Sequence, residues 1–302
     1  MRKYCLRLAA LTLLALLFGN AALADLPIVH KLSTEWKAPY ETVTAVEESP
    51  FAQDEALLCI DILGIRQGDC IIVRCGGKTM LIDGGEKIRY QMFKCYLEDH
   101  GIEGFDAFFL SHHHDDHIEL QTLAVKRGIP VGVLYAPYDS TEQAAYWREY
   151  KAVLKEKNVP IEVVKDQDEI DFGGATIRVY LNPTPNLSTN DGSAAVMITF
   201  GEAKFFSGAD MTGTTQHWLY DHYADELDCD VLKCFHHGNN ATLSELLDAF
   251  SPSLCVITNQ KTYTAQNDGQ LDRRDIPRYY INQTIHLETD GKMWYVWPEK
   301  MR

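Results

Sequence analysis

The chain has 302 residues, of which 46% are hydrophobic, enough for one large domain or two small ones with a substantial core. It carries 28 Lys and Arg against 43 Asp and Glu, a formal net charge of −15. Such a surface repels polyanions at long range, which counts against an extended nucleic-acid-binding face but not against a local positive site made by bound metal.

In chain order, Arg2, Lys3 and Arg7 precede the apolar run "LAALTLLALLF", and "ALA" at 22–24 supplies small residues before Asp25. This pattern reads as a secretory signal peptide over residues 1–24, cleaved after Ala24, which makes the mature chain secreted or otherwise extracytoplasmic. The run is short for a membrane span, an uncleaved anchor being the alternative, and no other segment is apolar enough to cross a bilayer. Cys5 lies inside the leader rather than at its cleavage end, against a lipid-anchored form. Beyond the leader, Cys59, Cys70, Cys75, Cys95, Cys229, Cys234 and Cys255 form no CxxC pair, and most sit in apolar runs. Buried free thiols are expected in preference to disulfides.

Residues 25–54 are polar and proline-punctuated and read as an extended arm; a single domain is expected over 55–302. From Leu57, "LLCIDILGIRQGDCIIVRCGGKTMLIDGG" shows three short β-type runs broken by glycine turns. "YQMFKCYLEDHG" has helical spacing and stops at Gly101. The apolar strand "FDAFFL" follows, then "SHHHDDH", the helical "IELQTLAVKRG" and the strand "VGVLYAP". "STEQAAYWREYKAVLKEKN" reads as a long helix with Ser140 and Gln143 at capping-box spacing. Strands are expected around Gly173-Gly174, in "SAAVMITFG", "AKFFSGAD", "DVLKCFHHG" and "LCVITN", and in a closing hairpin "TIHLETDGKMWYVW", with helices near 214–226 and 242–250. Two β-rich halves with helices between them predict an α/β sandwich of two sheets covered outside by helices.

The cluster His112-x-His114-x-Asp116-His117 carries the chemistry. A strand feeding the loop puts alternate side chains on one face, so His112 and His114 can converge on one metal ion. Asp116 and His117, where the chain turns into a helix, can reach a second. Imidazole nitrogens and carboxylate oxygens are ligands suited to zinc, and a catalytic site leaves a position open for water. A solvated His/Asp loop is the bland alternative, but this one abuts a buried strand and is not in a tail.

These segments resemble the metallo-β-lactamase superfamily. "HHHDDH" matches its HxHxDH signature, and "QGD", "LIDGG", "SGAD" and "LKCFHHG" follow the family's order over about residues 57–297. The combination is most similar to the hydrolase domains of DNA-uptake competence proteins and secreted phosphorylcholine esterases. The resemblance implies a four-layer αββα sandwich of two mixed sheets. It implies His112, His114, Asp116, His117, Asp210 and His237 as metal ligands, with Asp210 as the bridge, and Asp83 beside the metals. His237 is favoured over His236 as the last ligand because it precedes a Gly; His236 would then act on a leaving group, and Asp116 and His236 are the candidate catalytic residues. Two zinc ions are implied, manganese being an alternative, with no organic cofactor; two such ions give a water-derived hydroxide near neutral pH.

Many members supply a third histidine to the first metal between the cluster and the bridging aspartate, but residues 118–209 contain none. Asn190, Asp191 or Ser193 could substitute there or contact substrate. Hydrolysis of a phosphodiester or related phosphoester, in a small molecule or a polymer, is the leading expectation. A β-lactamase or lactonase and a non-catalytic binding module remain as alternatives. His100 and His286 are given structural roles, at a helix end and within the final hairpin.

Overall fold

The computed structural model describes residues 42–51, 57–65, 68–137, 144–259 and 263–300. Residues 1–24, read from the sequence as a leader, residues 25–41 and 52–54 of the expected arm, and Ser140 with Gln143 lie outside the described residues. Two sheets form among the described residues. One contains β1 (Val43–Ala45), β2 (Leu58–Ile62), β3 (Ile71–Cys75), β4 (Lys78–Ile82), β5 (Phe105–Phe109), β6 (Val131–Ala136) and β7 (Ile161–Val163). The other contains β8 (Glu169–Phe172), β9 (Ala175–Tyr180), β10 (Ala195–Phe200), β11 (Ala203–Ser207), β12 (Val231–Lys233), β13 (Leu254–Ile257) and β14 (Arg278–Tyr280). The closing hairpin, β15 (Thr284–Thr289) and β16 (Trp294–Glu299), returns to the first sheet. The strand orders are β1-β16-β15-β2-β3-β4-β5-β6-β7 and β14-β13-β12-β11-β10-β9-β8. Both sheets are mixed, with β4 to β7 mutually parallel in one and β11 to β14 in the other.

Alternation along each strand sorts its side chains into two cores. Ile71, Val73, Met80 and Ile82 point between the sheets and meet Ile177, Val196, Phe205 and Val256. Ile72 and Leu81, one residue out of phase, point outward with Phe108. There they meet Phe93 and Leu97 of α1 (Tyr90–Asp99), Ile118 and Val125 of α2 (Asp115–Lys126), and Trp147, Tyr150 and Leu154 of α3 (Ala145–Lys157). On the far side, α4 (Gly213–Tyr223), α5 (Ser244–Phe250) and α6 (Ala265–Asp272) bury Leu219, Leu246, Phe250 and Leu271 on Phe206, Leu232 and Cys255. At about 1.5–3 kcal/mol per fully buried large apolar side chain, burial of this kind holds the four layers together. The layers are helix, sheet, sheet, helix, as the sequence predicts.

The helix ends follow their sequence signals. α1 stops before Gly101, which takes φ 63°, and α3 stops at Asn158 with φ 58°. Three elements depart from the sequence reading. Of the segment taken as an arm, Val43–Ala45 pairs in parallel with β16, and the Trp294 N–H donates to the Thr42 carbonyl at 2.7 Å. Only Val43 of the three is buried, so the strand has no periodicity to betray it. α6 and β14 also form without having been anticipated, because "AQNDGQLD" buries only Asn267 and Leu271. Among the described residues all seven cysteines are free, five of them buried. No helix among the described residues is long and apolar enough to cross a membrane.

Candidate metal centre

The residues of the His112–His117 cluster and their partners lie at one end of the sandwich. Asp83 follows β4, the His112–His117 run follows β5, Asp210 follows β11, and His236 and His237 follow β12. Asp69 precedes β3, and because Ile71 pairs with Ile82 in antiparallel register it arrives at the same end. The backbone there is bent into the left-handed region at four non-glycine residues: Asp83 (φ 52°), Ala209 (φ 45°), His236 (φ 46°) and His237 (φ 55°). Each such conformation costs on the order of 1–3 kcal/mol and persists only where the surroundings impose it. At "HHG" the result is that consecutive imidazoles reach the two oxygens of one carboxylate.

That carboxylate is Asp210, 2% exposed. On its Oδ1 side, His237 Nε2 lies at 3.2 Å and His117 Nε2 at 3.4 Å. Asp116 closes this group, 3.4 Å from His237 Nε2 and 3.8 Å from His117 Nε2. On the Oδ2 side, His112 Nε2 lies at 3.7 Å and His236 Nε2 at 3.8 Å. His114 Nδ1 is 3.1 Å from His112 Nε2. The ligands expected from the sequence are therefore brought together as two groups that share Asp210, and His236 joins the one lacking a histidine from 118–209.

A second layer fixes the imidazoles. His117 Nδ1–H donates to Asp83 Oδ2 at 2.8 Å, and Asp83 is in turn held by the Ser111 N–H (2.8 Å) and hydroxyl (2.7 Å). His237 Nδ1 faces Thr258 Oγ1 at 2.9 Å and Asp69 Oδ1 at 3.2 Å, and Thr258 donates to the same Asp69 oxygen at 2.7 Å. The other Asp69 oxygen is paired with the fully buried Lys233 ammonium. Tying Nδ1 of both rings to carboxylates aims both Nε2 lone pairs at Asp210, the arrangement that orients histidine toward a metal. Asp69, Lys233 and Thr258 were not picked out from the sequence as site residues; "QGD" was noted only as a motif.

The electrostatics agree with the geometry. Burial opposes charge on His117, yet Asp210 and Asp83 outweigh it and raise its pKa to about 10. Burial likewise opposes charge on His237, but Asp210 and Asp69 push it well above the ordinary value. Asp210, despite burial, is held well below the usual carboxylate range by His237 and His117. His112, buried and beside His117, is pushed well down. The carboxylates thus create a negative well that a divalent cation would share. Asp210 Oδ1 is buried with no hydrogen-bond partner, and the donors are all imidazole nitrogens and carboxylate oxygens. This orphaned oxygen and this donor set fit a divalent transition metal such as zinc.

The loop 188–193 divides its roles. Asn190 Nδ2 donates to His236 Nε2 at 3.4 Å, and Ser193 Oγ is buried without a partner. Asp191 spends its carboxylate elsewhere: Oδ1 accepts from the Thr212 N–H (3.2 Å), the Thr212 hydroxyl (2.8 Å) and the Thr215 N–H (3.3 Å), at the start of α4. It serves that helix N-terminus rather than the centre.

Gly68 presses against the cluster: a Cβ there would sit 2.4 Å from the Asp116 carbonyl oxygen, at φ 98°. Gly68→Ala is expected to cost about 1–3 kcal/mol through backbone strain alone. It should also displace Asp116, so metal content and any turnover fall together; metal analysis beside a thermal melt checks this. Unchanged metal content would show that Asp116 tolerates the shift.

The family model described as the beta-lactamase superfamily domain matches residues 78–237, which run from β4 to His237. No match was found among curated proteins. Among solved structures, a mutant of the CmlA beta-hydroxylase is similar at TM-score 0.53 and 15% identity, over 80% of this chain and 55% of that one. This chain therefore spans about half the length of that hydroxylase. YhfI from Bacillus subtilis, described as a metallo-beta-lactamase fold protein, is similar at TM-score 0.50 and 12% identity, over 81% of this chain and 100% of that one. Likenesses at such identities speak to fold, and the family match covers more than half of the sequence: the chain belongs to the metallo-β-lactamase superfamily.

Proposed function

We propose that this protein is an exported, metal-dependent hydrolase acting on a phosphodiester or related phosphoester. The observation that carries the reading is Asp210, whose two buried oxygens each face a separate group of metal-grade side chains. His112, His114 and Asp210 would hold one ion; Asp116, His117, Asp210 and His237 would hold the other. When bound, two such cations acidify a water and neutralise charge on a phosphoryl group. The export reading rests on the basic, apolar and small-residue pattern of residues 1–24.

The chain's own residues supply the rest. His236 is a quarter exposed, and its Nδ1 is held by Asn240 Oδ1 at 2.6 Å. In its protonated form the ring, with Nδ1–H on Asn240, would give its Nε2 proton to a leaving alkoxide. Beside the centre a cleft of about 770 Å³ is lined by His113, Lys165, Asn182, Thr184, Ser188 and Thr189 among others. Lys165 and Asp166 both line it, together with the apolar Pro137, Leu181, Pro183 and Leu187, so the lining is mixed in character, and its size suits a small molecule or the end of a polymer. The zinc assignment rests on the donor chemistry, and the phosphoester assignment on the motif resemblance.

The test is hydrolysis of bis-p-nitrophenyl phosphate and p-nitrophenylphosphorylcholine by purified protein, against a β-lactam reporter, with and without chelator. Chelator-sensitive phosphodiester turnover supports the reading, and the preferred ester separates nucleotide-like from choline-bearing substrates. Turnover of the β-lactam alone would replace the proposed substrate class, and absence of both activities in metal-loaded protein would overturn the hydrolase assignment.

A further inference from the structure

The outer face of the first sheet carries a second cluster of metal-grade side chains. His286 of β15 is 4% exposed, and its Nδ1–H donates to Asp61 Oδ1 at 2.8 Å. Asp61, itself 1% exposed, is held on its other oxygen by Arg74 at 2.9 Å. His286 Nε2 therefore points away from Asp61, toward Glu299 Oε2 at the end of β16, 2.8 Å away. His100, just past the end of α1, brings its Nε2 to 3.6 Å from the same oxygen, and its own Nδ1–H donates to the Tyr96 carbonyl at 2.9 Å. The three potential donor atoms lie within 4.8 Å of one another.

We propose that His100, His286 and Glu299 form a zinc site separate from the Asp210 centre, with a fourth position left to water. Three features argue for it. First, both imidazoles commit Nδ1–H to a fixed acceptor, which leaves Nε2 as the free lone pair, and His286 does so through a buried carboxylate, the usual support behind a zinc-bound histidine. Second, the spacing suits one small ion: zinc–ligand distances of about 2.0–2.1 Å in a tetrahedron put ligand atoms roughly 3.3 Å apart. The 2.8 and 3.6 Å separations bracket that value. Third, the rings are already held: Tyr96 stacks on His100 with centroids 3.9 Å apart, and Trp297 stacks on His286 at 5.1 Å.

The site is distinct from the Asp210 centre. β15 lies three strands from β4, roughly 14 Å at the usual strand spacing, and the cluster faces α1 rather than the space between the sheets. Zinc there would tie the end of the last strand to α1 and β15. Without zinc, the same groups form an ion-pair network, and the experiment separates the two.

Purified full-length protein, stripped with chelator and then titrated with zinc chloride, would be weighed by native mass spectrometry. Compared are the unaltered chain, His100→Ala, Glu299→Gln and Asp210→Asn. The expected result is one zinc fewer per chain in both His100→Ala and Glu299→Gln. Asp210→Asn should lose zinc from the other centre while still taking up the ion that His100→Ala cannot. Equal zinc content in the unaltered protein, His100→Ala and Glu299→Gln would overturn the proposal. Glu299 is half exposed, so its Gln variant remains informative even if His100→Ala folds poorly. Failure of the hydrolase reading would leave this result untouched, because the readout is stoichiometry.

Discussion

Asp210→Asn should lower metal-dependent turnover by roughly 10³-fold or more, equivalent to about 4 kcal/mol of lost transition-state stabilisation, with metal content falling in parallel. The substitution keeps the volume and removes the charge. Four imidazoles converge on that one carboxylate, from His237 at 3.2 Å to His236 at 3.8 Å. An amide in its place turns NH₂ hydrogens toward nitrogens that need to face a cation, and it cannot serve both ligand groups. Metal analysis and a chelator-controlled assay on the same sample check the result. Full turnover with full metal content would mean that Asp210 is not the shared ligand.

Lys233→Met should destabilise the protein by about 3–5 kcal/mol, because removing one member of a buried ion pair strands the other. Lys233 is fully buried and Asp69 is 1% exposed. Burial alone would push the Asp69 carboxyl up, but Lys233 and His237 hold it well below the usual range, so it stays charged. Lys233 also donates to the Ala209 carbonyl at 3.2 Å, next to Asp210, so its loss reaches the centre as well. Removing both charges in Asp69→Asn with Lys233→Met should restore much of the stability. Asp69→Asn by itself should reduce metal affinity or turnover by about 10–100-fold through His237. Denaturant melts in the presence of chelator isolate the folding effect from metal binding. A single-variant loss below about 1 kcal/mol, within the usual range for a surface substitution, would refute the stranded-charge account.

The parts of the fold read correctly from the sequence are those where burial imposes a period. "IIV", "MLI" and "FFL" alternate between two cores, and α1 and α3 end where Gly101 and Asn158 allow a left-handed turn. The cluster at 112–117 was legible because its spacing is itself the chemistry, Asp210 because it follows an apolar strand, and His237 because the resembled family places its last ligand before a Gly. Long-range pairing was not legible. Asp69 and Lys233 lie in different halves of the chain and meet only when the two sheets close. Asp191 could be listed beside Asn190 and Ser193 by position, but only the structure shows it serving α4. His236 looked like an alternative to His237; the left-handed backbone at both residues lets each reach its own oxygen of Asp210. His100 and His286 looked unrelated because they are far apart in sequence and meet only when β15 pairs with β2 and α1 packs over that face.

The outermost strands of the two sheets have a bearing on the life of the protein in solution. β1, β7 and β14 have three residues each and β8 has four. Exposed Glu162 on β7, and Glu169 and Asp171 on β8, place carboxylates along two of these borders. Borders this short offer a neighbouring molecule few free backbone groups to zip onto, and the carboxylates disfavour edge-to-edge pairing between copies.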